Sequence, residues 1–273
     1  MSLGLRKTPR LLDQWKSLAN IINNPVEYWD FPTTMLAFAK SLKNSQLLLM
    51  EGGVVFRIRG KQATLINWFG EEEDMRAAVF ALQSQDIKVK SLNWEKTMFF
   101  PDKGAKVKEF IVYGLYDFDL STQCHSSKTR ETLRRKHRQG KKRYTVGHKL
   151  PAREKMDELF AKWAEEASKR HFMVVKGHYQ AYIDLLYKGF ASCICFWEGE
   201  ELIGICGYEV FGSCAQITLM KNRKAHSCFP VYFWVASVET ISRHYNKVFC
   251  GSTAEGLKQQ LGFLPYDTYK LKL

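Results

Sequence analysis

Twice along this chain, three short apolar segments follow one another with only a tight turn between them. In the first half, residues 46–50, 54–59 and 63–69 are separated by Glu51-Gly52-Gly53 and Gly60-Lys61. In the second half, residues 191–197, 202–211 and 214–220 are separated by Glu198-Gly199-Glu200 and Gly212-Ser213. Short runs of β-branched and aromatic residues closed by glycine turns read as antiparallel meanders. A lone meander leaves one apolar face uncovered, so it needs a second layer. Helical segments supply that layer in both halves. Residues 11–23 place Leu11, Leu12, Trp15, Leu18, Ala19 and Ile22 at helical spacing and stop at Asn23-Asn24-Pro25. A second helix is expected at 33–41. After the meander come a helix over 71–83, with acids in its first turn, and an extended stretch at 88–100.

The second half repeats the order. Residues 152–169 form an amphipathic helix through Met156, Leu159, Phe160 and Trp163, and 179–187 form a shorter one. After the meander come a helix over 230–245 opening on Pro230, a strand at 247–250, a helix over 254–261 closed by Gly262, and a strand at 267–273. The reading is an α/β chain of two domains, 1–115 and 116–273. Each is a mixed, mostly antiparallel sheet flanked by helices.

Charge is concentrated in one place. The chain carries 41 Lys and Arg against 28 Asp and Glu, a net charge of +13. Residues 128–143 hold nine of those bases and one acid, Glu131, and so account for eight of the thirteen charges. Unpaired charges are too costly to bury, so this block faces solvent or a polyanion. Arg130, Arg134, Arg138 and Lys142 fall on one stripe of a helix about 24 Å long. Their mutual repulsion is relieved by an anion. Arg135, Lys136, Lys141 and Arg143 add to the field, and Leu133 is the one clear apolar anchor. The functional reading is phosphate contact with a nucleic acid or a phospholipid headgroup.

Seven cysteines lie mostly in apolar runs, and the first ten residues have no apolar core. Reduced thiols and a cytoplasmic protein are expected. No run approaches the ~18 apolar residues of a membrane span. Cys193-x-Cys195 and His226-x-Cys228 do not complete a four-ligand zinc frame, so no metal is expected. There is no P-loop, no dinucleotide fingerprint and no Ser-His-Asp order, so no bound cofactor is expected. His171, His178 and Tyr179 follow the first helix of the second half and are candidates to line a cleft. Asp117-Phe118-Asp119 precedes the basic block as a cap or a site.

The closing residues carry a resemblance. A helix ending in Leu261-Gly262-Phe263, then Pro265 and a last strand, resembles the C-terminus of GNAT acyltransferases. The element order, run twice over about 230 residues, resembles the tandem-GNAT proteins: Fem-type aminoacyltransferases and the C-terminal domain of lysyl-phosphatidylglycerol synthases. In acetyl-CoA-dependent GNAT members a Tyr stands four residues before that glycine and protonates the departing thiolate; here the place is held by Lys258. Fem-type enzymes carry Gly-x-x-x-Phe-Lys on this helix, and Gly256-Leu257-Lys258 is a shortened version. The resemblance implies that Lys258 meets the reacting carbonyl and leaving group, and a cation aimed at a developing oxyanion suits acyl transfer. GNAT loops that hold a CoA pyrophosphate contain glycines. The loop at 221–229 has none, but Lys221, Arg223 and Lys224 bring charge to a helix N-terminus. Fem-type proteins lack those glycines too and often start the next helix with Pro, as Pro230 does. Leu133, Lys136, Arg138, Lys141 and Lys142 match the helix that opens their second domain. Glu209, in mid-strand, is the candidate base for the acceptor, and Tyr269 on the last strand completes the catalytic set.

The resemblance implies a transferase moving an aminoacyl group from aminoacyl-tRNA to an amine or hydroxyl on a small molecule, lipid or polymer. The alternatives are an acyl-CoA-dependent N-acyltransferase, including one that acts on nucleic acid, and a non-catalytic nucleic-acid-binding module with this fold.

Overall fold

Among the described residues, three helices and a four-stranded sheet make most of the first unit. The computed structural model describes residues 11–22, 30–91, 106–122, 125–169, 176–223, 225–251 and 254–269. Helix α1 (Leu11–Ile21) buries Gln14 and Leu18. Helix α2 (Pro32–Ala39) opens on Pro32, whose missing N–H has no partner to lose in a first turn. Strands β1 (Gln46–Met50), β2 (Val54–Arg59) and β3 (Gln62–Trp68) form the expected antiparallel meander. Gly52 and Gly53 turn the chain at φ 71°, a conformation that glycine adopts without strain. Helix α3 (Glu72–Gln83) begins with a capping box between Glu71 and Asp74 and buries Met75, Ala78 and Leu82 against Phe56, Leu65 and Trp68. Strand β4 (Lys88–Ser91) then returns parallel to β3. The expected extension to residue 100 lies outside the described residues from 92 on.

The second unit is larger. Strand β5 (Lys106–Tyr113) leads into a one-turn helix α4 (Phe118–Ser121) and the basic helix α5 (Ser127–Arg143). Next come β6 (Thr145–Gly147), α6 (Arg153–Lys169) and α7 (Lys176–Tyr187), of which residues 177–182 group with the first unit. The meander is β7 (Ser192–Glu198), β8 (Glu201–Phe211) and β9 (Cys214–Asn222). Helix α8 (Phe229–Ser242), β10 (Lys247–Phe249), α9 (Glu255–Gln260) and β11 (Leu264–Tyr269) complete it. The sheet order is β11-β5-β10-β9-β8-β7-β6. As in the first unit, the strand after the meander and its helix runs parallel to the last meander strand: β10 beside β9.

Helix α8 is the centre of the core. Eleven of its fourteen residues are buried, as a helix that is apolar all round must be. Its own Phe229 and Phe233 stack on each other and meet Phe196 of β7 edge-on, with ring centroids 4.8–5.9 Å apart.

Three features depart from the expected order. Strand β5 belongs to the second sheet, between β10 and β11, so that unit starts at Lys106, ahead of position 116. The three-residue β6 adds an edge strand beside β7. And α5 has more than one anchor: Leu133, His137 and Gly140 are all buried, and Tyr144 at its C-cap continues the seam. Gly140 lies so close to α8 that a Cβ there would sit 2.3 Å from Tyr232 Cβ. The glycine lets a highly charged helix press its backbone onto an aromatic one. No helix among the described residues is long and apolar enough to cross a membrane.

Candidate active site

The parallel pair at the middle of the second sheet comes apart. Strand β10 pairs with β9 at Lys247↔Cys214, Val248↔Ala215 and Phe249↔Gln216, while β9 runs on to Asn222. Just past the last pair β9 carries a bulge. Ile217 faces Tyr208 and Leu219 faces Gly207, so Thr218 stands outside the ladder, its hydroxyl donating to Gly207 O at 3.4 Å. A bulge bends its strand and re-aims the residues beyond it. Fork and bulge together open the sheet at one point.

Lys258 sits beside the end of β10. It projects from α9 into the core and is fully buried. Its Nζ donates to Cys250 O at 2.5 Å and Gly251 O at 2.7 Å, the two carbonyls just beyond β10. The ring centroids of Trp234 and Phe110 lie 4.9 and 5.1 Å from it. Burial pushes its pKa down to about 8, against the pull of Cys250 and Glu109. It is a cation held in apolar surroundings by two carbonyls and two ring faces. Of its three N–H groups, two are used by those carbonyls.

Glu109 is a residue the sequence reading missed. It lies on β5, only 2% exposed. Tyr266 of β11 donates its hydroxyl to Glu109 Oε2 at 2.6 Å. Burial raises the carboxyl to about 7, and the Tyr266 hydrogen bond and the Lys258 charge hold it back from rising further. The signal was an acid directly before Phe110-Ile111-Val112-Tyr113, where a half-buried strand has no cheap place for one.

Glu209 is also buried, on β8 opposite Gln216, which in turn pairs with Phe249 at the fork. Its neighbour Tyr208 packs on the core that receives Lys258. Side chains alternate along a strand, so Glu209 is on the opposite face of the sheet. Lys258 and Glu209 are thus not side by side; the fork lies between their faces. Tyr269 ends β11, and its side chain lies outside the described residues, as do Lys224, His171, Cys124 and the side chain of His178.

The basic loop ahead of α8 is tied inward. Lys221 Nζ stands 4.1 Å from the centroid of Trp163 on α6, and burial pushes its pKa down to about 8. Arg223 forms an ion pair with Glu201, which Lys162 also approaches at 3.5 Å.

Helix α5 divides its cations into two groups. Arg130 donates to His125 O, Arg134 pairs with Asp119 at 3.0 Å, Arg138 with Glu131 at 2.7 Å, and Arg143 with Glu198 at 2.5 Å. Three of the four stripe residues therefore have acceptors within the chain. Lys128, Arg135, Lys136, Lys141 and Lys142 make no ion pair among the described residues, though Lys141 acts on Glu239 at longer range. Lys128 and Lys136 wall a groove of about 340 Å3. Its other sides are Ser227 and Pro230 at the start of α8, and Leu257 and Gln260 on α9. These last two residues bracket Lys258, which turns inward from the same helix. The N-terminal end of α8 faces this groove; Phe229 N–H is already given to His226 O and Pro230 has none, so what the fourteen-residue helix brings to an anion here is chiefly its dipole. Among the described residues no cluster of three metal-binding side chains occurs.

No protein-family model and no curated protein matches the chain. Solved structures do. The C-terminal domain of a putative lysylphosphatidylglycerol synthetase from Agrobacterium fabrum superposes on 96% of this chain and 93% of its own, with a TM-score of 0.64 and 12% identity. FemX covers 97% of both chains at a TM-score of 0.60 and 10% identity. A tandem GNAT protein from the clavulanic acid biosynthesis pathway covers 97% and 95% at a TM-score of 0.52 and 11% identity. The chain has a tandem GNAT-like fold. At such identities the likeness is one of backbone, so roles for Lys258, Glu109 and Glu209 rest on their own geometry.

Proposed function

We propose that the protein is an acyltransferase, moving an aminoacyl group from aminoacyl-tRNA to an amine or hydroxyl acceptor. The observation that carries this reading is Lys258: a buried ammonium beside the fork, on the helix that also lines the lysine-walled groove. One structural likeness is named for making an aminoacylated lipid, which suits an aminoacyl donor.

In such a transfer the acceptor lone pair attacks the ester carbonyl, a tetrahedral oxyanion forms, and the bond to the ribose oxygen breaks. The acceptor loses a proton and the ribose oxygen gains one. The remaining N–H of Lys258 stabilises the oxyanion or the departing oxygen; an ammonium held near pH 8 is also a competent acid. Glu209, one strand from the fork on the other face, takes the acceptor's proton. Lys128 and Lys136, with the α8 N-terminus, hold backbone phosphates of the donor's end.

Filter binding of charged tRNA at low salt tests the donor. Saturable binding that weakens as salt rises supports the reading, and absence of binding at low salt overturns it. Thermal stabilisation by CoA esters, without tRNA binding, would move the assignment to an acyl-CoA-dependent enzyme.

A further inference from the structure

A second cleft, of about 280 Å3, lies on the opposite flank of α5, between it, α4 and α8. The lysine-walled groove uses Lys128, Thr132 and Lys136 of α5; this cleft uses Arg134, His137 and Lys141, roughly half a turn round the helix. Nothing in the proposed transfer calls on it.

At its base is an unmet hydrogen-bonding atom. His137 is 7% exposed, and its Nε2 has no hydrogen-bond partner among the described residues. Glu239 Oε2 on α8 is 3.8 Å away, beyond hydrogen-bond reach. The ring itself is fixed, with Phe118 edge-on at 5.0 Å and Tyr232 at 5.8 Å. Burial drives the imidazole down to about 4, with Lys141 adding to the effect and Asp119 opposing it, so it is neutral at physiological pH. Burial also raises Glu239, while Lys141 and Arg243 favour its charged form and Asp117 and Asp119 oppose it. In the Nδ1–H tautomer of the neutral ring, His137 Nε2 and the Glu239 carboxylate oxygen facing it across 3.8 Å are two acceptors with room for one shared donor. Buried polar atoms are rarely left unpaired in folded proteins.

The rim is charged in both senses. Asp117, Asp119 and Glu239 stand against Arg134, Arg138 and Lys141. Two of these are already spent inside the chain: Arg134 on Asp119, and Arg138 on Glu131. Asp117 uses one oxygen to cap α4. That leaves Lys141, which acts on Glu239 at longer range but is in no ion pair among the described residues, on one side and Glu239 with His137 Nε2 on the other. A bare anion or a bare cation would satisfy only half of this arrangement. The volume is many times the ~30 Å3 share of one water, so a single solvent molecule does not fill it.

We propose that this cleft binds a small zwitterion of the amino-acid class, its ammonium donating to both His137 Nε2 and the Glu239 carboxylate and its carboxylate lying against Lys141. The site is independent of the acyl-transfer reading: it stands or falls on the α4, α5 and α8 residues alone.

The test is calorimetric titration of the full chain at pH 7 with glycine, L-alanine and L-serine, and separately with ethylamine and acetate. The His137 ring nitrogens are followed in parallel by NMR. The proposal expects saturable binding of a zwitterion with a shift of the His137 Nε2 resonance. It expects ethylamine and acetate each to bind at least about tenfold more weakly, and Glu239→Gln and Lys141→Met each to weaken the zwitterion by about tenfold or more. Both substitutions change rim residues and keep side-chain shape. No saturable binding by any of the three zwitterions at millimolar concentrations would overturn it. So would acetate binding as tightly as the zwitterion, or either variant retaining wild-type affinity.

Discussion

Replacing Glu109 with glutamine gives the sharpest reading of the buried site. In the fold the Glu109 carboxyl titrates near 7, against 4.5 in an open chain. A carboxyl whose folded pKa is raised favours the fold only while it holds its proton. Its contribution is complete below pH 4.5 and is lost as the pH rises through about 7. The gap is about two and a half pH units, and at about 1.4 kcal/mol per unit the full loss is about 3.5 kcal/mol, of which about 3 falls between pH 4.5 and 7.5. The group is almost fully buried, so solvent screening takes little away. Glutamine keeps the shape and the Tyr266 hydrogen bond but cannot ionise. The assay is urea unfolding of wild type and Glu109→Gln, followed by tryptophan fluorescence, at steps from pH 4.5 to 7.5. Subtracting one protein from the other removes titrations common to both. The variant should gain about 3 kcal/mol on the wild type across this window, most of it between pH 5 and 7. A difference that stays flat to within about 0.5 kcal/mol would refute the reasoning, because the carboxyl would then titrate alike in both states.

Lys258 carries the opposite sign: its folded pKa is depressed from 10.5 to about 8, so its contribution is present above pH 10.5 and lost as the pH falls through 8. Lys258→Met should lower single-turnover aminoacyl transfer by about a hundredfold or more, as loss of an oxyanion donor does, and a rate within a few-fold of wild type would remove Lys258 from the chemistry. Gly140→Ala should destabilise the protein by about 2 kcal/mol in chemical unfolding despite alanine's better helix propensity, since its Cβ would collide with Tyr232. Four cations of α5 outside the second cleft, Lys128, Arg135, Lys136 and Lys142, make no ion pair among the described residues, so the slope of log K against log salt for tRNA binding should be about −3, and a slope near zero would separate the helix from the nucleic acid.

The repeated order of elements was readable because its punctuation is local. Gly52-Gly53, Gly199 and Gly212 turn the chain wherever they stand, and the strands between them have nowhere else to go. Strand β5 was not readable in that way. Its partner β10 is more than a hundred residues away, and nothing local says that a strand preceding a domain slots between two of its last elements. The basic helix was found from composition, but its buried side was not. Gly140 reads as a helix breaker until Tyr232 is seen against it, and His137 reads as one more polar residue. The pairing of Arg134 with Asp119 and of Arg143 with Glu198 depends on how α4 and the β7–β8 turn lie against α5, which charge counting does not show. Lys258 was singled out by its place before Leu261-Gly262-Phe263. That it points inward, onto Cys250 and Gly251, comes only from the way α9 leaves β10.

Strand β10 is three residues long, yet among the described residues it is the one strand that joins the β11-β5 pair to the four strands from β9 to β6. The seven-stranded sheet is therefore two panels joined by one rivet. A rivet that short transmits little bending stiffness from panel to panel. Strain from a bulky guest at the fork would be taken up as a change of angle between the panels rather than by breaking hydrogen bonds within either.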